Sequence, residues 1–301
     1  MTLWLLTGIL LVIFFLSPFL WMLVTSLKAD YELFETASGL ADFLPEQFQW
    51  HNYRDVFRQI PFVRYLANSL VVALASAAME TALAATAAYG LSVLRWRHQA
   101  VAHWLLSLAW LVPFSVVLIP RFLIFALLPD ILGPGDFWSA WRVLPVAGNE
   151  YFLGRLLGLD SFLALALPAS VSITATFILI TMMKRIPPSL LEIAYLDTSS
   201  VFGIFWRIVL PLVKPALGTV AFFAFLSAWQ SFTWPLVVTS TLEMQTAPVG
   251  LRAFQSLHST QWSLLMAGSV ILTLPAAGFL FLAQRYVVDR FQLVDLPENR
   301  M

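Results

Sequence analysis

The chain has 301 residues, of which 60% are hydrophobic and only 11% are charged. Soluble domains carry roughly 25% charged residues, so this composition excludes a water-soluble globular protein and indicates an integral membrane protein. The 17 basic and 17 acidic side chains give zero net charge, which removes the electrostatic basis for binding nucleic acid. The absence of cysteine excludes disulfides and thiol nucleophiles, and the four scattered histidines form no metal-ligand cluster.

The first apolar segment, residues 3–27, is a candidate signal peptide or membrane helix. Signal peptides combine a basic start, an apolar run of roughly 7–15 residues and a small-residue cleavage site. This segment is longer and has no Lys or Arg before it. We therefore expect a retained transmembrane helix.

Six segments are long and apolar enough to cross the hydrocarbon core, which takes roughly 20 residues of helix. They are residues 3–27, 66–93, 102–128, 160–183, 213–238 and 263–285. Lipid offers no partner for backbone amides, so each span must be helical, and these runs lack the alternation of barrel strands. The predicted fold class is an all-α membrane protein with six transmembrane helices, in a single transmembrane domain over residues 1–301.

Charge in the connecting segments indicates the orientation, because basic short loops face the cytoplasm. The short loop at 94–101 and the loop at 184–212 are both basic. Placing these loops in the cytoplasm puts both termini there as well. The segments at 28–65, 129–159 and 239–262 then face outward.

The loop at 184–212 carries helix signals of its own. Pro187 and Pro188 end the preceding span, because proline cannot continue an intrahelical hydrogen-bond ladder. Ser189 followed by Glu192 forms a capping box, which predicts the start of a new short helix.

The predicted helix has an apolar stripe with i, i+3, i+4 and i+7 spacing. The stripe consists of Leu191, Ala194, Tyr195, Thr198 and Phe202. Such a stripe suits a groove on a partner protein, and it suits equally well a helix that lies on the membrane surface. Gly203 is a candidate break before a second short segment at 204–210. Patterning alone leaves both alternatives open.

The same loop looks like the EAA loop of binding-protein-dependent ABC importer permeases. The family pattern of an E-A-A triplet, a D-G-A step and I-x-L-P is carried here by Glu192, Ala194, Asp197, Phe205, Ile208, Leu210, Pro211 and Pro215. Flanking stretches such as SLKADYELF, LANSLVVAL and AWQSFTWPL resemble the maltose-type carbohydrate-uptake permeases, over about residues 1–128 and 158–288. The chain departs from the pattern at Ile193 and at Thr198, which stands where the family has a turn-compatible glycine. Residues 129–157 look like an insertion on the outer face.

The resemblance implies one permease subunit of an ATP-driven importer for a disaccharide, oligosaccharide, glycoside or polyol, in a bacterial or archaeal cytoplasmic membrane. The implied partners are a second homologous permease, a dimer of ATP-binding subunits and a periplasmic or lipid-anchored solute-binding protein. ATP and Mg would be used by the ATP-binding subunits. This chain has no GxxxxGK[ST] phosphate cradle, and it would be non-catalytic and bind no cofactor or metal.

The resemblance also indicates which residues of the loop couple to the ATPase. They are Glu192, Ala194, Leu196, Asp197, Thr198, Ser199, Phe202, Arg207, Leu210 and Pro211. Capping and local pairing are an alternative role for Glu192, Asp197 and Arg207. The two roles are compatible, because a docking helix must first be held in shape.

Two charged residues lie within predicted spans, where charge is costly and usually faces a bundle interior or a watery cavity. We expect Glu80, in span two, to face the translocation path or a neighbouring helix. Arg121 would pair with Glu80 only if their spans are adjacent. The favoured hypothesis for Arg121 is that it snorkels to the outer interface.

Span five combines aromatic and hydrogen-bonding side chains, as a sugar site requires. They are Trp229, Gln230, Ser231, Phe232 and Trp234. Core packing, with a kink at Pro235, is the favoured alternative for this segment.

Two other function classes compete with the importer subunit. A stand-alone ion-coupled secondary transporter would use Glu80, but that class also needs broken helices in paired halves. An intramembrane enzyme would need a nucleophile–base pair or metal ligands within the spans, and none is visible in the sequence.

Overall fold

The computed structural model describes residues 2–34, 44–94, 96–131, 158–197, 200–256 and 260–291. Side chains are described for those of these residues that fall within 4–127 or 158–281. The regular elements in these ranges are helices, and an isolated β-bridge joins Gln255 to Thr260.

The α-helices carry most of the described chain. They are α1 (Thr2–Ser26), α2 (His51–Gln59), α3 (Phe62–Ser92), α4 (Gln99–Trp110), α5 (Phe114–Ile131), α6 (Phe162–Ala166), α7 (Ile173–Met183), α8 (Pro188–Asp197), α9 (Val201–Ile204), α10 (Leu210–Leu212), α11 (Lys214–Trp229), α12 (Thr233–Val238), α13 (Ala247–Gly250) and α14 (Trp262–Phe291). A π turn at Phe205–Val209 joins α9 to α10, and 3₁₀ turns lie at Asp30–Leu33, Pro168–Ser170, Leu242–Met244 and Leu251–Phe254.

Three described helices are long and apolar enough to cross a membrane. They are Trp4–Ser26, Phe62–Ser92 and Trp262–Phe281. Three bent pairs pass the same test if each pair counts as one span: Gln99–Trp110 with Phe114–Leu127 (100°), Phe162–Ser170 with Ile173–Met183 (46°), and Val201–Leu212 with Lys214–Trp229 (80°). The described residues thus hold three to six candidate spans, as a multi-pass membrane protein requires.

The predicted continuous helix at 102–128 is broken in the structure. α4 ends at Trp110 and α5 begins at Phe114. Pro113 lies in the break, where it has no N–H to donate and where it disfavours a helical conformation of the residue before it. The prediction of one unbroken helix is corrected at this point.

The predicted span at 160–183 is also interrupted. Val171 and Ser172 are extended, and α7 starts after them. The Ser172 hydroxyl accepts a hydrogen bond from the backbone N–H of Ala175 (3.2 Å), which caps the new helix. The interruption therefore has a specific side-chain partner.

The predicted span at 213–238 divides into α11 and α12. α11 ends at Trp229 and α12 begins at Thr233. A proline ring clashes with the carbonyl four residues earlier, which for Pro235 is the carbonyl of Ser231. The break therefore precedes Pro235, whereas the sequence predicted a kink at the proline itself.

The chain falls into two compact units, Met1–Asn68 with Gln245–Ala277 and Ser69–Met244 with Gly278–Met301. The core of the first unit consists of Val56, Ile60, Phe62, Tyr65, Ala247, Leu251, Phe254, Leu264 and Ala267. The second unit contains a larger cluster, which includes Ala88, Tyr89, Leu179, Met183, Ala194, Ile204, Phe205 and Val220, and a smaller one around Phe125 and Trp234.

Polar contacts fix the connecting segments of the first unit. One Asp30 carboxylate oxygen accepts hydrogen bonds from the backbone N–H (2.9 Å) and the hydroxyl (2.8 Å) of Ser263. The Asn52 amide donates to the carbonyls of Ser26 (2.9 Å) and Lys28 (3.1 Å). The segment after α1 is therefore folded against its own unit.

Close packing in the first unit requires a glycine at one position. Tyr65 is buried, and a Cβ added at Gly250 would overlap atoms of its ring. By contrast, a Cβ at Gly218 in α11 meets nothing within 4 Å.

Replacing Gly250→Ala should therefore destabilise the purified protein, whereas Gly218→Ala should not. Overpacking of a core costs about 1–3 kcal/mol, and alanine is the better helix former at an open helical site. Thermal denaturation in detergent measures both variants against the unaltered chain. Equal melting temperatures for the two variants would contradict the tight Tyr65–Gly250 contact.

Asp160 joins the chain before α6 to the chain after α12. Its φ of 59° places it in the left-handed region, where Asp and Asn are more tolerated than other non-glycine residues. The carboxylate accepts hydrogen bonds from the Ser240 hydroxyl (2.6 Å), the Ser240 N–H (2.9 Å) and the Thr241 N–H (3.2 Å). Burial raises the pKa of Asp160, but these hydrogen bonds outweigh that effect and the net pKa is lowered.

Asp160→Asn should lower stability at pH 7 by roughly 1–2 kcal/mol, because hydrogen bonds to a charged acceptor are lost while asparagine keeps the backbone conformation.

The effect of this substitution should depend on pH. A lowered folded-state pKa gives stabilisation that is complete above the ordinary Asp pKa, about 4, and that is lost as pH falls through the pKa of the folded state. The difference between Asp160→Asn and the unaltered chain should therefore shrink below about pH 4. Thermal denaturation at pH 7 and at pH 3, with Asp55→Asn as the control, measures it, and a gap independent of pH would contradict the role of the carboxylate.

Candidate coupling loop and membrane cavity

The helix of the predicted EAA loop begins earlier than the capping box indicates. α8 runs from Pro188 to Asp197, so Ser189 lies inside its first turn and is not the N-cap residue. Proline is favoured in the first turn, because the N–H that it lacks would have no intrahelical partner. The capping-box prediction for Ser189 and Glu192 is corrected accordingly.

The apolar stripe predicted in the loop divides in the structure. Ala194 is buried in the larger core cluster of the second unit, and Leu191 packs against the same cluster. Tyr195 and Phe202 of the stripe are 43% and 70% exposed, and Ile193 and Leu196, outside the stripe, are 66% and 89% exposed. The free surface of the loop therefore combines part of the predicted stripe with residues that the stripe did not include.

The predicted coupling residues divide into three groups. Ala194 is buried and Leu210 is half-buried, so neither offers a free surface. Thr198 and Ser199 lie outside the described residues. The exposed group consists of Glu192, Leu196, Asp197, Phe202, Arg207 and Pro211.

α8 ends at Asp197 and α9 begins after Ser200, and Gly203 does not break the helix. Ser200 is the N-cap of α9, and its hydroxyl accepts a hydrogen bond from the backbone N–H of Gly203 (3.2 Å). Gly203 therefore lies within the first turn of α9. The next turn, Phe205–Val209, is a π turn, a rare form that is frequent at functional sites.

Tyr89, near the end of α3, fixes the loop to the bundle. Its hydroxyl donates to the carbonyl of Val201 (2.9 Å), and its ring lies 4.9 Å from that of Phe205. The Tyr89 hydroxyl also forms a hydrogen bond with Tyr195. Sequence analysis did not assign a role to Tyr89, because these contacts join residues more than a hundred positions apart.

The second unit contains a cavity of about 640 Å³ beside the breaks in the predicted spans. Its wall includes Glu80, Phe114, Arg121, Ser172, Ser231 and Trp234. Glu80 is only 8% exposed and is hydrogen-bonded to the hydroxyl of Ser172. This position agrees with the prediction that the Glu80 side chain faces the translocation path or a neighbouring helix.

Arg121 lines the same cavity. Its guanidinium carbon lies 5.6 Å from the ring centroid of Phe114 and 5.8 Å from that of Trp234. These distances fall within the range of cation–π contacts. The Trp234 ring is itself fixed, because its N–H donates to the carbonyl of Ala164 (2.9 Å). Arg121 therefore lies against aromatic rings in the cavity wall, and its snorkelling to the outer interface stays a prediction.

The candidate sugar-binding residues of span five separate in the structure. Ser231 and Trp234 line the cavity. Trp229 is buried and stacks on Phe225, with the ring centroids 5.8 Å apart. Gln230 is exposed at the end of α11. Both tryptophans are therefore packed in the core, and Trp234 also contributes to the cavity wall.

The sequence profile of one family, described as "Binding-protein-dependent transport system inner membrane component", matches residues 80–292. The chain belongs to this family. The predicted membership of the binding-protein-dependent importer permeases is thereby confirmed, and the chain is a non-catalytic permease component. The family match therefore favours the importer subunit over a stand-alone ion-coupled transporter that uses Glu80.

Similar proteins cover nearly the whole chain. A probable permease protein for starch degradation products from Thermoanaerobacterium thermosulfurigenes is 30% identical over 93% of this chain and 91% of its own length. The permease protein of an arabinooligosaccharides transport system from Bacillus subtilis (strain 168) is 28% identical over 91% and 88%. An sn-glycerol-3-phosphate transport permease from Yersinia enterocolitica is 27% identical over 94% and 92%.

A solved structure shares the fold. One chain of a bacterial ABC transporter involved in the import of the acidic polysaccharide alginate superposes with a TM-score of 0.71. The superposition covers 95% of this chain and 96% of that chain, at 18% identity.

Replacing Tyr89→Phe should loosen the loop without removing the ring contact to Phe205. One hydrogen bond contributes about 1 kcal/mol, so backbone amides at 201–206 should exchange with deuterium about fivefold faster. Hydrogen exchange with mass spectrometry measures the effect, and Tyr31→Phe, at an exposed tyrosine, is the control. Unchanged exchange at 201–206 would show that the Tyr89 hydroxyl does not hold the loop.

Proposed function

We propose that this chain is one permease subunit of an ATP-driven importer that moves a sugar or sugar-like solute across the cytoplasmic membrane of a bacterium or archaeon. The observation that carries the proposal is the family match, which includes the whole loop from Lys184 to Leu212. Relatives named for arabinooligosaccharides and starch degradation products support a saccharide, within the wider class of disaccharides, oligosaccharides, glycosides and polyols.

The proposed topology has six spans with both termini in the cytoplasm and a coupling loop at 184–212. Three long apolar helices and three bent pairs support that count. The basic residues of the loop support its cytoplasmic side. Residues 132–157, most of the predicted outer insertion, lie outside the described residues, and we assign to the insertion a docking surface for the solute-binding protein.

The proposed coupling surface consists of the exposed side chains of Ile193, Leu196 and Asp197 on α8 and of Phe202 on α9. On α8, apolar side chains at helical spacing with an adjacent carboxylate suit a groove on a soluble partner. The inner face of α8 belongs to the core of the second unit. A force on the exposed face therefore reaches α3, α7 and α11 as a displacement of packed elements.

The partners proposed for the chain are those of an ABC importer. A second homologous permease would complete the path, and a dimer of ATP-binding subunits, which use ATP and Mg, would bind the loops from inside. A solute-binding protein would deliver the solute from outside. An alginate importer has been solved in complex with a pentasaccharide-bound periplasmic protein, and a chain of it superposes on this one with a TM-score of 0.61.

The cavity beside Glu80 and Arg121 is the proposed part of the translocation path in this subunit. Charged groups within membrane spans commonly mark such paths. Ser231 and Trp234 contribute to it, whereas Trp229 and Gln230 do not line it.

The coupling proposal predicts that Leu196→Asp and Asp197→Arg prevent co-purification of an ATPase with the tagged chain from native membranes. The first variant places a charge in an apolar contact, and the second reverses a charge at its edge. Leu242→Asp is the matched control, because Leu242 is also exposed (66%) but lies in a segment predicted to face outward.

Mass spectrometry of the purified material identifies the partners. Recovery of the ATPase with the unaltered chain and with Leu242→Asp, but not with the two loop variants, is the expected result. Retention of the ATPase by both loop variants would contradict the docking surface. A chain that purifies alone and still transports would contradict the importer proposal as a whole.

A further inference from the structure

The cavity of the second unit combines two opposite charges with aromatic walls inside an apolar bundle. Glu80 supplies a carboxylate and Arg121 a guanidinium, while Phe114 and Trp234 supply ring faces. Its volume of about 640 Å³ falls within the usual range of small-molecule sites. Packing against apolar neighbours alone does not explain this composition, because charged groups are costly in such surroundings.

The ring contacts of Arg121 do not consume its hydrogen-bond donors. The guanidinium carbon lies 5.6 Å and 5.8 Å from the centroids of the Phe114 and Trp234 rings, and the attraction of a cation to a ring face uses no N–H···O hydrogen bond. A guanidinium has five N–H donors to offer to a ligand. Glu80 is held similarly by one hydroxyl, Ser172, and an ionised carboxylate has about four acceptor sites.

The two opposite charges in the cavity wall select the class of ligand. Each hydroxyl of a saccharide both donates and accepts, so the hydroxyls of one sugar unit suit a carboxylate acceptor and a guanidinium donor. An anionic ligand would meet Glu80 and a cationic ligand would meet Arg121, and either approach leaves a like-charge contact between largely apolar walls. The hydroxyls of Ser227 and Ser231, on the same wall, add neutral donors and acceptors.

We propose that this cavity binds an uncharged saccharide unit directly, with Arg121 and Glu80 as a donor–acceptor pair that excludes charged solutes. The inference rests on the proposed importer function and adds to it a solute contact within this subunit. Arg121 becomes a specificity-determining residue.

The absence of cysteine from the chain allows a direct test by single-cysteine labelling. The complete transporter is purified through a tag on this chain and reconstituted in vesicles with Ser231→Cys. A water-soluble maleimide then reports access to the cavity, and modification is read on this chain by mass spectrometry. Ser76→Cys is the matched control, because Ser76 lies on the same helix as Glu80, is fully buried and is outside the cavity wall.

The expected result has two parts. Ser231→Cys is modified at least about tenfold faster than Ser76→Cys, and maltotriose or arabinotriose slows that reaction while trigalacturonic acid does not. Adding Glu80→Gln or Arg121→Gln raises the trisaccharide concentration needed for protection about tenfold, which is the usual effect of losing a hydrogen bond to a charged group. Arg58→Gln, at an exposed arginine with a long ion pair, leaves it unchanged.

Three outcomes would overturn the inference. Equal modification of Ser231→Cys and Ser76→Cys would show that the cavity excludes water. Protection by trigalacturonic acid in preference to both neutral trisaccharides would reverse the charge selection. Protection by none of the three probes would remove the saccharide site from this subunit.

The same preparations separate this inference from the proposed function. Co-purification of the ATPase and its stimulation by the solute-binding protein report on the importer, independently of which subunit contacts the solute. A coupled ATPase with no protection at Ser231→Cys defeats the cavity inference alone. Loss of the ATPase from the unaltered preparation defeats the importer proposal itself.

Discussion

Backbone N–H groups at the start of a helix have no partner within that helix, and lipid provides none. This chain interrupts its helices repeatedly, and serine hydroxyls satisfy the N–H groups at three of the described restarts. The hydroxyls of Ser161, Ser172 and Ser200 accept from the N–H groups of Ala164, Ala175 and Gly203. Two of these capped helix starts lie beside the cavity and in the proposed coupling loop. Ser172 borders the cavity, and Ser200 begins the second half of the proposed coupling loop.

Ser172 offsets two energetic costs at once: the unpaired backbone N–H groups at a helix break and the burial of a carboxylate. Its oxygen caps α7 through Ala175, and its hydroxyl is hydrogen-bonded to Glu80. A buried carboxylate without partners costs several kcal/mol, so the break that opens the cavity also stabilises the acid that lines it. The inner side of α8 packs in the same unit, because Ala194 lies in one cluster with residues of α3, α7 and α11. The cavity and the proposed coupling surface therefore belong to one packed unit.

Hydropathy was sufficient to locate the apolar segments, because the length of an apolar run is a local property of the sequence. The sequence did not show which face of α8 is free. The stripe at Leu191 and Ala194 has helical spacing, but spacing is the same for a helix packed on its own bundle and for one packed on a partner. The contacts of Arg121 with Trp234 and of Tyr89 with Val201 join distant positions, so no local pattern predicts them. Pro113 was a local signal for the break between α4 and α5, since proline acts on its immediate neighbours, but the predicted span at 102–128 ran through it.

The π turn at Phe205–Val209 gives the loop an unusual dependence on chain length. Such a turn holds one residue more than an α turn, and Phe205 and Val209 at its two ends are both buried. Deleting one residue there would restore a regular helix and rotate everything before it by about 100° around the axis. The side chain of Phe202 would then point to a different side of the molecule. Under the proposed coupling, length differences among related permeases within this short stretch should coincide with changes in the surface of the ATPase that would receive the loop, so that the two subunits vary as a matched set.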